Sequence, residues 1–430
     1  MKTSYKISMR IITLLSIMWV MQGCLKDMVD TTLTYTVYTP VYKTLQQIKE
    51  EIKTLPPKDI QFPNRIYFKD NYVFVSESYK GIHIINNANP ASPQNVGFVD
   101  IPSNRDIAMK NNTLYADMFG DLLAIDVSDP KNAKLKNSVS NVFQDYPNYL
   151  PDSKIIVDYS KKDTIIHSKS SALPKKGEIW YYYDNGKWFT YSSNDGTNQS
   201  GAQGTASPST PTYGTGGSMS RFTATKQRLF TVGNNNMAVF NITNDFNPSF
   251  VTRKPLPWGI ETIFPFKEHL FVGSTTGVFI FSISDPDQPN QIGAFGHVRR
   301  CDPVVANDKY AFVTLRGGGA CGGNTNQLDV LSLESLTAPT LIKSYALDNP
   351  FGLSIDNDLL FVCDGSSGLK IFNAADVSNL VLKSTIKDIF PRDVIAMNGV
   401  AMVITDKGLY QYDYKDINNI KLLSKIEIRK

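Results

Sequence analysis

The sequence is poor in the residues and motifs that organise a reacting centre. Its 430 residues include only 4 histidines and 4 cysteines. It has no G-x-S-x-G nucleophile elbow, no H-E-x-x-H zinc site, no phosphate-cradling P-loop and no EF-hand loop. His83, His167, His269 and His297 are scattered, and only His297 falls beside other charges, at Arg299 and Arg300. The cysteines lack the CxxC spacing of a zinc site, so neither a metal nor a cofactor is expected. A basic block is missing too. The 44 basic and 40 acidic residues leave a net charge of +4 with both signs interspersed, which argues against a nucleic-acid partner, since that needs a clustered basic face. The apolar run at 11–20 is ten residues long, too short to span a bilayer as a helix.

What the chain has is a repeated phrase. Residues 111–130 read NNTLYADMFGDLLAIDVSDP, two short apolar runs with turn residues around them. Similar pairs are YVFV with GIHII, LFTV with MAVFN, LFVG with GVFIF, AFVT with LDVLS, LFVC with GLKIF, and AMVI with GLYQY. The first runs of these seven copies begin at 72, 114, 229, 270, 311, 360 and 401, so the steps are 42, 115, 41, 41, 49 and 41. A period of about 40–45 residues with several short strands per repeat is the spacing of propeller blades. The competing all-β arrangement, a sandwich, has no reason to keep such a period. The 115-residue step is one period plus an insertion at 143–217, between the second and third copies.

Each copy accommodates four strands. In the last they are expected at 393–397, 401–405, 409–412 and 422–428, separated by Asn398-Gly399, Asp406-Lys407-Gly408 and Asn418-Asn419. Such turns give a tight antiparallel meander its backbone freedom. Prolines gather after the third strand, at Pro90, Pro130, Pro248 and Pro286, where they stop a strand without breaking an interior ladder. The expectation is an all-β, seven-bladed β-propeller of four-stranded blades over 63–430. The strand and turn LLAIDVSDP resembles the LVIVD repeat of bacterial extracellular propeller-like proteins, and the layout resembles LVIVD-repeat lipoproteins of Bacteroidota. Most copies keep the apolar pattern and not the letters. The resemblance implies fold and export; it implies no activity.

The N-terminus reads as an address. Lys2, Lys6 and Arg10 precede the apolar run, and Met21-Gln22-Gly23-Cys24 resembles a lipobox. Residues 1–23 are therefore expected as a lipoprotein signal peptide, and Cys24 as the lipidation site that anchors the protein to a membrane. Leu25-Lys26-Asp27 resembles the surface-export signal of Bacteroidota lipoproteins, which places the protein in the cell envelope, on the outer membrane and facing outward. Residues 24–62 read as a tether. Val41, Leu45, Ile48 and Ile52 at helical spacing predict a helix over 41–53, and alternation over 31–39 predicts a strand that could pair onto the ring.

Within the insertion, 154–158, 164–167 and 178–191 read as strands, the last as a hairpin turning at Asp184-Asn185-Gly186. Trp180, Tyr181, Tyr182, Tyr183, Trp188, Phe189 and Tyr191 make it the densest aromatic cluster in the chain. These rings could present a face to a sugar or a protein partner, or pack the insertion down onto the propeller rim. Residues 192–218 offer almost nothing apolar to bury and are expected to be disordered. An insertion after an outer strand starts on the face where the channel opens, so it is expected to overhang that mouth.

Aligned blades place Asn64-Arg65, Arg105-Asp106, Arg221, Glu261, Arg300-Cys301-Asp302, Gly352 and Arg392-Asp393 at the start of each inner strand. In a ring these encircle the channel mouth. The candidate ligand-binding residues are Arg105, Asp106, Glu261, Arg300, Asp302, Arg392 and Asp393, with arginine forks for a carboxylate or a sugar hydroxyl. The same charges could instead pair and staple blade to blade. A Cys301–Cys321 disulfide is expected, because both connections open on one face in an oxidising compartment; Cys363 in the next blade is a competing partner. The reading is a non-catalytic binding scaffold for an unknown envelope protein or glycan. The alternative is an extracellular hydrolase or lyase acting on glycans through Asp106, Glu261, Asp302 and Asp393.

Overall fold

The computed structural model describes residues 29–146, 149–150, 152–170, 180–184, 187–191, 202–203, 213–297, 303–318, 323 and 325–428. Each repeat folds locally for a reason its sequence contains. The last residue of every third strand is Asn, Asp or Ser, and its side-chain oxygen accepts the backbone N–H two residues on. The pairs are Asn86 with Ala88, Asp126 with Ser128, Asn241 with Thr243, Ser282 with Ser284, Ser332 with Glu334, Asn373 with Ala375 and Asp413 with Lys415. Such side-chain turns compete with further ladder pairing and so end the strand at a fixed place. The aspartate of the repeated phrase is thus a turn former.

Seven antiparallel blades result, from the contiguous segments 63–100, 107–139, 222–255, 260–296, 304–346, 353–386 and 391–427. The seven inner strands contact one another in succession, and that of blade 7 meets that of blade 1, which closes the ring. Among the described residues no blade borrows a strand from the other end of the chain. Closure rests on packing of Ile60, Ile66, Val73, Val75 and Ile85 against Ile395, Met402, Ile404 and Leu409. Each such buried side chain contributes about 1.5–3 kcal/mol. Asn87 and Gln411 lock the same seam with reciprocal amide hydrogen bonds of 2.9 and 2.7 Å. All seven outer strands carry a register shift where they pair with the third strand. A bulge twists an exposed edge away from further pairing and so protects it.

The channel is filled by the chain itself. Thr215 and Gly216 pair with Phe68 and Tyr67 on the inner strand of blade 1, and Tyr213 bridges to Lys110 of blade 2. Further up, the Leu353 N–H of blade 6 donates to Ser218 Oγ at 3.0 Å, and the Ile263 N–H of blade 4 to the Ser220 carbonyl at 2.9 Å. Ala202 and Gln203 pair antiparallel with Met219 and Ser218. A segment touching blades 1, 2, 4 and 6 runs along the axis. The expectation of disorder over 192–218 is therefore overturned for 202–203 and 213–218; 192–201 and 204–212 lie outside the described residues. Composition misled because this segment buries backbone and small side chains in a groove that other blades build. Two glycines allow it past Tyr67. A Cβ on Gly214 would stand 2.2 Å from the Tyr67 ring, and one on Gly216 would stand 2.6 Å from Ser220 Oγ.

At the N-terminal side the helix is shorter than expected, Leu45–Glu50, because Thr44 caps it in a reciprocal box with Gln47. Residues 41–44 are extended instead. Thr54 and Leu55 then pair with Val99 and Phe98 on the outer strand of blade 1, and Ile60 is fully buried, so this part of the expected tether belongs to the ring. A second compact unit comprises 1–43 and 155–196. Its sheet orders the strands Lys154–Ser170, Val29–Thr44, Trp180–Asp184 and Lys187–Tyr191. The strand expected to pair onto the ring thus pairs with the insertion, and 154–158 and 164–167 are parts of a single strand. The side chains of the aromatic cluster lie outside the described residues, as do the signal peptide and Cys24. Among the described residues no helix is long and apolar enough to cross a membrane.

Gly214→Val should lower stability by about 1–3 kcal/mol through overpacking against Tyr67, read as a shift in the denaturant midpoint. An unchanged midpoint would show that the axial segment is not part of the cooperative fold.

Candidate functional site

The mouth of the ring is made by the starts of the inner strands, the turns between second and third strands, and the connections between blades. Two of the sequence-predicted residues occupy bulges there. In blade 7 Pro391 pairs with Thr405 and Asp393 with Ile404, leaving Arg392 as the extra residue; in blade 4 Ile260 and Thr262 pair with Ser274 and Gly273, leaving Glu261. A bulge breaks the two-residue alternation and re-aims a side chain. Arg392 is exposed, while the adjacent Asp393 is 1% exposed.

The acids turn inward. Asp106 Oδ1 accepts the Ile107 N–H at 2.7 Å, and its Oδ2 accepts the Arg221 N–H from the next blade. Arg65 Nε lies 3.6 Å from Asp106 Oδ2. Burial pushes the Asp106 carboxyl up to about 6, against the pull of Arg65. Asp393 repeats the motif at the seam, with Oδ1 accepting the Val394 N–H at 2.6 Å. Its Oδ2 finds no partner among the described residues, because the matching N–H in blade 1, that of Arg65, donates to Ser76 Oγ instead. Burial holds Asp393 well above the usual carboxylate range. These two candidates are therefore part of the ring's interior.

Three arginines, Arg392, Arg316 and Arg105, lie on aromatic rings. Arg392 sits 5.4 Å from the Phe351 centroid and 5.1 Å from Phe390, and Arg316 sits 4.2 Å from Phe351. Burial pulls both guanidinium values down; Glu261 offsets this at Arg316 and Asp406 at Arg392. Across the mouth Arg105 stacks 4.3 Å from Tyr146, whose hydroxyl donates to Asp117 Oδ2 at 2.6 Å. Asp117 also accepts from Asn104 and from the Arg105 and Asp106 N–H groups. The cleft beside it, between blades 2 and 3, has about 30 Å³, room for water but not a sugar ring. Between blades 6 and 7 the same face opens a groove of about 600 Å³.

Of the sequence-predicted residues, Arg105, Asp106, Glu261, Arg392 and Asp393 lie at the mouth end of their inner strands. Arg300, Asp302, Cys301 and Cys321 lie outside the described residues. Cys363 is a free, fully buried thiol, pushed up by burial. Among the described residues no cluster could hold a metal. Sequence reasoning missed Phe351 and Phe390, although they stand one residue before Gly352 and two before Arg392, both aligned positions. It also missed Arg65 as the partner of Asp106.

An orphaned buried carboxyl makes stability pH-dependent. The folded Asp393 keeps its proton while the unfolded one releases it near pH 4. Stability from the protonated form is thus complete below about pH 4 and is lost as pH rises toward the folded value. Asp393→Asn, a mimic of the protonated form, should match wild type at about pH 4 and become progressively more stable than it by about pH 7. Parallel denaturation curves at both pH values check this.

No family model matches the chain, and no curated protein does. Solved structures do. A protein from Lactobacillus plantarum superposes with a TM-score of 0.55 at 13% identity, over 85% of this chain and 97% of that one. The periplasmic gluconolactonase of Pseudomonas aeruginosa superposes with a TM-score of 0.51 at 11% identity, over 85% and 95%. At these identities the likeness concerns the fold alone, and the fold is the seven-bladed β-propeller.

Proposed function

We propose that this chain is a lipid-anchored envelope protein whose propeller, of LVIVD-repeat type, is a non-catalytic scaffold holding a ligand or protein partner on its channel-mouth face. The observation that carries this reading is Arg392. Its guanidinium lies on two phenyl rings, and no carboxylate among the described residues is within ion-pair distance of it. A stacked guanidinium is held in place with its N–H edge available to an acceptor, at little further entropic cost on binding. Cys24 supplies the anchor and Lys26-Asp27 the outward placement, on the outer membrane. The glycan-hydrolase alternative is weakened by burial: Asp106 and Asp393 are each 1% exposed and cannot flank an external glycosidic bond.

Two measurements test the reading. Affinity capture from envelope extract should recover a partner with wild type and lose it with Arg392→Ala, while Arg392→Lys retains part of it. Equal recovery by all three moves recognition off this face. Metabolic palmitate labelling should mark wild type and not Cys24→Ala; label in the variant removes the anchor from the proposal.

A further inference from the structure

The groove between blades 6 and 7 allows the ligand class to be named, on the assumption that the mouth face is the binding face. Its wall contains Ser366, Ser367, Thr385, Lys387, Phe390 and Lys407, with the carboxylates of Asp388 and Asp406. At about 600 Å³ it falls within the range of small-ligand sites. Phe390 joins it to the arginine, because the ring that lines the groove is the one on which Arg392 lies.

The charges divide into spent and available. Lys370 and Asp348, both also in the wall, are used up on each other: Lys370 Nζ lies 3.4 Å from Asp348 and 2.6 Å from Asp364. Lys407 donates to the Asp388 carbonyl at 3.4 Å rather than to a carboxylate. Lys387 is exposed, and among the described residues it makes no ion pair within 4.0 Å. Lys387 and Lys407 in the wall, and Arg392 next to it on the Phe390 ring, therefore offer cationic donors. Asp388 and Asp406 offer anionic acceptors in the same groove. A ligand that is anionic throughout, such as an inorganic phosphate, would meet those two carboxylates and be repelled. A neutral ligand would leave Arg392 without an acceptor. The set calls for a molecule with hydroxyl donors for the aspartates, hydroxyl acceptors for the lysines and serines, a flat C–H face for Phe390, and one carboxylate for Arg392.

We propose that this groove binds carboxylated oligosaccharides, chains of uronic-acid type, with the sugar carboxylate forked onto Arg392 and a sugar ring against Phe390. The ligand is bound and not cleaved. The uronate carboxylate is planar and bidentate, which matches guanidinium better than ammonium.

The test is isothermal titration of the full chain with a panel of uronic-acid trisaccharides of differing stereochemistry, their neutral hexose counterparts, and an acidic hexapeptide. At least one uronate should bind roughly 10-fold or more tightly than its neutral counterpart, a preference of about 1.4 kcal/mol. Arg392→Ala should erase the preference while leaving residual binding, whereas Phe390→Leu should weaken both sugars together. Arg392 packs on Phe351 and Phe390, so the titrations are run where melting curves show Arg392→Ala and Arg392→Lys fully folded. Equal binding of acidic and neutral sugars overturns the proposal, as does a preference that survives Arg392→Ala. Binding of the peptide alone, lost in Arg392→Ala, overturns the saccharide class and leaves the mouth-face reading standing. If no probe binds and envelope capture is also indifferent to Arg392, both fall.

Discussion

Seven twisted sheets set around an axis leave a hole, and the way that hole is filled governs the rest of this molecule. Four-stranded blades pack side by side through their middle strands, so their inner edges present unpaired backbone groups to the channel. Here the edge of blade 1 is paired by Thr215 and Gly216, and inner strands of blades 2, 4 and 6 bond to neighbouring residues of the same segment. The filler must be thin. Gly214 and Gly216 meet Tyr67 where no Cβ fits, and the buried residues that follow are Ser218, Met219 and Ser220. At the far end of the inner strands Tyr213 and Thr215 of this segment line a cavity of about 390 Å³ with Phe68, Lys69 and Met397.

The filled axis also explains where the charges went. With the channel occupied below, the acids at the inner-strand starts sit over a floor of protein rather than water. Asp106 and Asp393 bend in and cap the N–H groups that follow them, and burial raises both. Arg65 lies between them electrostatically and is itself pulled down by burial. A carboxyl and a guanidinium in such surroundings set the spacing of blades 7, 1 and 2 more than they recognise anything outside.

The paired apolar runs and their constant spacing made the blades legible, because both are written into adjacent residues; the Asn, Asp or Ser that closes each third strand emerged only from its hydrogen bond. Position along each inner strand was legible for the same reason: the offset from the second strand is fixed by a short hairpin. Side-chain direction was not. Arg392 and Asp393 read as one charged pair, but as adjacent strand residues they face opposite ways, Arg392 exposed and Asp393 buried. The axial strand was illegible because its partners are far away in sequence: Thr215 lies opposite Phe68, and Gly216 opposite Tyr67. A polar, glycine-rich stretch looks like a linker whenever the groove that receives it is built elsewhere.

The contrast between Arg316 and Arg392 shows how the mouth separates structure from recognition. Both guanidiniums rest on Phe351, and burial lowers both. Arg316 is answered by Glu261, the bulge residue of blade 4, whose charge offsets its desolvation. Arg392 is answered only by Asp406, which lines the groove and holds no ion pair with it among the described residues. The positive charge of Arg392 adds to the effect of burial in lowering Arg316. Glu261 offsets that lowering at Arg316, and Asp406 offsets desolvation at Arg392 from the groove side.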